Sequence, residues 1–289
     1  MAAFAPDLSD IDAAMQDWRQ GDVVLEGVPF FLHLADLARP ITHEAHSEAE
    51  AAPSQTGDTL AGVPSQPRGV VVVTQTCDIV RASATRPFVE VSPLIEVDAN
   101  VLEEVRRLRR PRFAYVPGVA NLRLVADLDQ TMTVEKTVLA PLTREAGCRG
   151  DQERREFADA LARKRARFAF PDDFAHALRG FVQRLKDKHG KGTDEGALLR
   201  ALREIRIRAA PDWDAQEVCL TFLFILDADE PPPTPRDEDQ VRDWLSRVDG
   251  AGRFHLDPDL PWRLCFLEDI DAREYVESDR LDLDDLSHR

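Results

Sequence analysis

Residues 68–80 read RGVVVVTQTCDIV, and the fold of the N-terminal half turns on them. Four consecutive valines, Val70 to Val73, are β-branched and show no polar alternation, which predicts a strand buried on both faces. The run ends on Thr74, Gln75, Thr76, Cys77 and Asp78, five polar or nucleophilic side chains in a row. Two accounts of that junction compete. It can line a pocket, with Cys77 as a nucleophile if a base such as His33 comes within reach, because thiolate formation needs a base or local positive charge. Alternatively, its threonines and aspartate satisfy turn N–H groups and its cysteine fills a small gap.

Working outward, DWRQGDVVLEGVPFFLHL (17–34) opens on a Gly21-Asp22 turn and reads as a first strand. Residues 43–67 are rich in Ala, Ser, Glu, Pro and Gly without apolar periodicity, and are expected to form a disordered insertion at the surface. Such a segment gives His43 and His46 no fixed geometry in which to hold a metal. On the other side, PFVEVSPLIEV (87–97) alternates as a strand. A helix is predicted from about Asn100 to Arg109, capped by Asp98 or Asn100 and stopped at Pro111. Short strands follow to about residue 143.

The middle of the chain carries helical periodicity. Phe157, Leu161 and Phe168 share one face, and Phe174, Leu178, Phe181, Val182 and Leu185 form a second stripe, ended by Gly190. DEGALLRALREIRIR (194–208) is predicted as a third helix. Beyond it, EVCLTFLFILD and WRLCFLEDI read as buried strands, with a helix over DEDQVRDWLSRV between them. The fold class expected is therefore α+β: an N-terminal β domain (1–143), a basic helical segment (144–208) and an acidic α/β C-terminal region (209–289).

Composition narrows the function classes. The 289 residues carry a formal net charge of −16, which argues against a dedicated nucleic-acid coat protein. The charge is uneven, however: residues 144–208 hold 17 basic and 11 acidic side chains, between acidic flanks. The four cysteines show neither zinc spacing nor a disulfide framework, and Cys219 and Cys265 sit in apolar runs as small hydrophobes. The acidic ending around Asp282, Asp284 and Asp285 reads as a solvated tail or a protein-docking strand. No metal and no cofactor are expected. With no apolar run of spanning length and no leader pattern at the N-terminus, the chain is expected in the cytoplasm and off the membrane.

The order Gln-Gly-Asp-Val-Val, Arg-Gly-Val-Val-Val-Val-Thr and Phe-Val-Glu-Val-Ser-Pro-Leu resembles the strand pattern of the MazF/PemK family. The resemblance covers about residues 17–97. Gly21 and Asp22 match its first element, Arg68 and Thr74 its arginine and serine at the same separation, and Ser92-Pro93-Leu94 its third element. Gly69 stands where the family has proline, and Ile95 where its toxins carry a catalytic threonine. The resemblance implies an SH3-like β-barrel and contact with RNA or DNA, in a toxin-antitoxin or phage-defence setting.

The leading expectation is a bacterial accessory or regulatory binding protein that contacts nucleic acid or, through its acidic C-terminal region, a protein partner. Gln75, Thr76, Ser92, Arg107, Arg110 and Arg112 are its candidate binding residues. An enzyme is the alternative, with Arg68, Thr74, Cys77 and Asp78 as catalytic candidates in a metal-independent ribonuclease or a Cys77-dependent reaction. A structural subunit of a larger complex is the third reading. The enzyme requires its four residues to converge on one open site.

Overall fold

The computed structural model describes residues 8–25, 31–51, 60–166, 168–246, 248 and 252–281. The chain divides into two compact units, 1–165 and 166–289.

In chain order the first unit comprises α1 (Ser9–Met15), β1 (Val23–Val24), β2 (Phe31–Asp36), α2 (His43–Ala51), β3 (Leu60–Ser65), β4 (Val70–Val72) and α3 (Thr76–Ile79). It continues with β5 (Phe88–Glu96), α4 (Ala99–Arg106), β6 (Phe113–Tyr115), β7 (Leu124–Asp127), β8 (Met132–Glu135), α5 (Lys136–Leu139) and α6 (Asp151–Arg165). Six of these strands form one antiparallel sheet in the order β1-β4-β5-β7-β6, with β8 also on β5. β4 is an interior strand, between β1 and β5, as the valine run demands: Val70, Val71 and Val72 are 3%, 0% and 0% exposed. Its valines divide by alternation between two cores. Val71 and Val73 pack with Leu94, Val116, Leu124 and Phe157, whereas Val70 and Val72 pack with Met15, Trp18, Ile79 and Leu139.

β5 is the longest strand of this sheet and changes partner along its length. Phe88 to Val91 pair with β8, Val91 to Pro93 with β4, and Leu94 to Glu96 with β7. All the pairings are antiparallel, but among the described residues the strands do not close into the expected barrel.

Several elements differ from expectation. The predicted first strand is two short strands in separate sheets, with 26–30 outside the described residues. The expected disordered insertion contains α2 and β3. Alanine and glutamate favour helix even without an apolar stripe, and Thr42 Oγ1 accepts the Ala45 N–H at 3.2 Å at its start. β3 is strand because β2 supplies its ladder, from Phe31↔Ser65 to Asp36↔Leu60; such pairing leaves no local signal. Residues 52–59 lie outside the described set.

The second unit holds α7 (Asp172–Ala177), α8 (Arg179–His189), α9 (Asp194–Ala201), β9 (Leu202–Ala210), β10 (Val218–Leu226), α10 (Pro235–Leu245), β11 (Phe254–Leu256), β12 (Trp262–Phe266), α11 (Ala272–Val276) and β13 (Ser278–Leu281). β10 lies at the middle of a mixed sheet, antiparallel to β9 and parallel to β11 and β12, and β13 extends the sheet beyond β9. The apolar faces of α7 to α10 bury Phe174, Phe181, Leu185, Leu199, Val241 and Trp244 against Ile205, Ile207, Phe222 and Phe224.

The expected third helix stops at Ala201, where Leu202 enters an extended conformation. Ile205 and Ile207 alternate with Arg206 and Arg208, a period of two that suits a half-buried strand. The basic helical segment is thus shared: α6 belongs to the first unit, and α7 to α9 to the second. The acidic residues Asp282, Asp284 and Asp285 lie outside the described residues.

Candidate functional site

The junction after the valine strand is ordered by its own side chains. Thr74 Oγ1 accepts the backbone N–H of Glu90 at 2.6 Å, and Thr76 Oγ1 accepts that of Gln20 at 3.1 Å. Gln20 returns the contact by donating its amide to the Val73 carbonyl at 2.8 Å. The two threonines therefore fasten the segment to β5 and to the turn before β1. The residues between and after them face outward. Gln75 and Cys77 are exposed, with the thiol 3.7 Å from Gln75 Oε1, and the half-buried Asp78 lies between Arg81 (3.5 Å) and Arg86 (3.9 Å).

A buried lysine completes the support. Lys136, at the start of α5, is 1% exposed, and its ammonium donates to the carbonyls of Arg81 at 2.6 Å and Asp78 at 3.4 Å. Burial lowers its pKa, opposed by the charges of Asp12 and Asp78. Asp12 Oδ1 also accepts the Ser83 N–H at 2.8 Å, so residues 76–83 are pinned from two sides. Nothing in TVEKTVL marks Lys136 as buried, because a lysine at a strand-to-helix junction ordinarily faces water.

The catalytic candidates do not converge. Arg68 and Thr74 stand at opposite ends of the β4 segment, which remains laddered to β5 from Arg68 N–H on Leu94 O to Val73 N–H on Glu90 O. Six residues of extended chain separate the two by about 20 Å. Arg68 is exposed, but at the far end from Cys77 and Asp78. Ser92 is 0% exposed and shares a 2.8 Å hydroxyl contact with Thr131, so it is a core residue and lines no groove. His33 lies in β2 opposite Val63, and the one hydrogen-bond contact of the Cys77 thiol among the described residues is Gln75.

The candidate arginines are engaged within the chain. Arg107 donates to Glu103 at 2.7 Å, as does Arg106; the Arg106 and Arg107 guanidiniums hold Glu103 down at about 2 against the smaller opposing effect of its burial. Arg110 pairs with Glu104 at 2.6 Å, and both side chains are largely covered. Arg112 reaches the buried Asp127 at 2.7 Å and Asp129 at 3.5 Å, and lies over the Phe113 ring. Asp22 is likewise committed. It is 2% exposed, accepts the Arg19 N–H at 2.7 Å and pairs with Arg144 at 3.0 Å, and burial raises its pKa despite those contacts.

Among the described residues no group of three His, Cys, Asp or Glu side chains gathers as metal ligands, and no helix is long and apolar enough to cross a membrane. Comparison with protein-family models, curated proteins and solved structures finds no match.

Proposed function

We propose that the chain is an accessory or regulatory binding protein that works through a protein partner. The observation that carries this reading is the division of roles over residues 74–78. Thr74 and Thr76 hold the backbone, while Gln75, Cys77 and Asp78 are displayed on a segment already fastened by Lys136. Rigid display of mixed polar groups suits recognition. A nucleophilic site would in addition need a base or cation on the thiol, and a MazF-type cleavage would need Arg68 beside the attacked phosphate.

Direct contact with RNA or DNA is the second reading, and rests on the resemblance of residues 17–97 to the MazF/PemK family alone, since the described strands do not close into that family's barrel. The same resemblance suggests the toxin-antitoxin or phage-defence setting. Against it, Arg107, Arg110 and Arg112 have carboxylate partners that phosphate would have to displace, in a chain of net charge −16.

The test is incubation of the purified chain with a mixed pool of structured and single-stranded RNA, alongside Arg68→Ala and Cys77→Ala, with fragments sequenced and retention followed from low to high salt. Intact RNA and no salt-dependent retention are expected. Cleavage that disappears in Arg68→Ala overturns the proposal in favour of a divergent ribonuclease.

A further inference from the structure

β10 turns only one of its faces to the helices of the second unit. Phe222 and Phe224 pack under α7 to α10, and alternation sends Leu223 and Ile225 to the opposite face, outside that cluster. Register sets Leu223 between Arg206 of β9 and Arg263 of β12, and Ile225 between Glu204 and Cys265. Arg208 follows two residues on from Arg206, and Arg280 of β13 lies beside Arg206. Asp279 turns the other way, to the Trp213 indole at 2.7 Å. Among the described residues of these four strands, the face thus carries Arg206, Arg208, Arg263 and Arg280 against Glu204 alone.

Leu223 and Ile225 are nevertheless 1% and 0% exposed, and α11 is the element that crosses them. On one side of β10, Glu274 accepts from the Arg263 guanidinium at 2.8 Å. On the other side the next residue, Tyr275, donates its hydroxyl to Glu204 at 3.2 Å and accepts at its carbonyl from Arg206 at 3.0 Å. The Arg206 guanidinium also lies 4.0 Å from the centre of the Tyr275 ring. β9 and β12 stand about 10 Å apart across β10, so a helix bonded to both passes over Leu223. Just past the helix, Glu277 pairs with Arg208 at 3.0 Å. Yet α11 buries none of its own residues, and Val276 is 80% exposed. Hydrogen bonds, ion pairs and one cation–π contact hold it, without a buried apolar side chain of its own.

We propose that α11 is a displaceable strap over a docking surface for an acidic segment of a partner protein. Opening takes Glu274 and Glu277 off the face and leaves four guanidiniums around Leu223 and Ile225, with Glu204 as their one carboxylate. A segment that replaces α11 therefore needs carboxylates for Arg263 and Arg208 and an aromatic ring for Arg206. That is the chemistry Glu274, Glu277 and Tyr275 supply from within the chain. The strap lowers the apparent affinity of the surface, because a partner binds only the open fraction. This extends the reading of the chain as a partner-binding protein, and rests on it.

The test compares full-length wild type with Glu274→Gln, with Glu274→Ala/Tyr275→Ala, with that double variant carrying Arg263→Glu, and with Gln75→Ala. A displayed random peptide library is selected on the double variant. Selected peptides should be acidic with an aromatic residue, bind wild type about tenfold or more weakly, bind Glu274→Gln in between, and be lost on Arg263→Glu. Cys265, 7% exposed beside Ile225, gives a second readout. A chromogenic disulfide reagent should reach it in the folded double variant but not in folded wild type, while Cys148 stays protected in both. Circular dichroism checks that the sheet is kept. Its loss in the double variant overturns the proposal, since α11 is then a fixed part of the fold. So do absence of any selected peptide, peptides indifferent to Arg263→Glu, and a Cys265 that stays shielded in the folded double variant. Peptides that bind wild type and double variant equally and weaken on Gln75→Ala would sink the strap and leave partner binding standing at residues 75–78. RNA cleavage by the wild type would remove the partner-binding function itself.

Discussion

The hydroxyl of Thr74 accepts the backbone N–H of Glu90 at 2.6 Å, tying the first residue after the valine run to the strand beside it. A side chain that had the position of a catalytic hydroxyl is a structural acceptor. Thr74→Val keeps the shape and removes the oxygen, leaving a partly buried N–H without its partner. Stability should fall by about 1–2 kcal/mol, read from the urea midpoint at unchanged slope, with Thr74→Ser recovering most of it. An unchanged midpoint in Thr74→Val would show that water replaces the hydroxyl and that the junction is looser than the geometry implies.

In the second unit, Glu195 joins three helices. Its Oε1 accepts the indole N–H of Trp244 at 2.8 Å and the Arg184 guanidinium at 2.8 Å, and Lys188 stands 3.3 Å from its other oxygen. Burial pulls the pKa up, but the bonds from Trp244 and Arg184 prevail and hold it below the ordinary glutamate value. A carboxylate with a lowered folded-state pKa binds fewer protons folded than unfolded. Its stabilisation is therefore complete above about pH 4.3 and is lost as pH falls through the folded value. Glu195→Gln should cost about 1–3 kcal/mol at pH 7, and the gap to wild type should narrow at pH 3. A gap that stays constant with pH would mean that the charge contributes nothing.

The sequence shows what local chemistry decides. Asp98 caps α4 by accepting the Val101 N–H, as its position before an amphipathic run implies. α10 follows from its apolar period, and β10 and β12 from their apolar runs, whereas the single helix expected along the Phe174-to-Leu185 stripe is divided at Leu178 into α7 and α8. Residues 202–208 escaped because LREIRIR satisfies a helical stripe and a two-residue alternation alike; the pairing of Ile205 and Ile207 with Phe224 and Phe222 decides for strand. At the junction, the string TQTCD was legible as polar but not as divided between threonines that turn in and Gln75 and Cys77 that turn out. That division depends on Gln20 and Glu90, which are distant in sequence.

The four thiols differ in accessibility. Cys77 is exposed and Cys219 half-buried, whereas burial pushes Cys148 up to about 12 and also raises Cys265. A chromogenic disulfide reagent at pH 8 should therefore titrate one thiol rapidly in the native protein, with Cys148 and Cys265 reacting only after denaturation. Cys77→Ser should remove the rapid phase. Its persistence in that variant would mean that the segment 75–78 is not displayed as described.

Gly21 precedes β1 at φ +88°, a conformation that L side chains rarely adopt, and its N–H donates to the Val72 carbonyl at 2.8 Å. Its α-carbon also faces the core: a Cβ there would lie 2.7 Å from the sulfur and 3.2 Å from the Cβ of the buried Cys148. Gly21→Ala thus meets two penalties, about 1–2 kcal/mol for the left-handed backbone and about 1–3 kcal/mol for overpacking. Cys148→Ala removes the sulfur but leaves the backbone as it was, so the double variant should recover part of the loss and show a coupling of about 0.5 kcal/mol or more. Simple additivity would assign the whole cost to the backbone and leave Cys148 out of the restriction, and Gly21→Ala at wild-type stability would contradict the tight turn that sets β1 against β4.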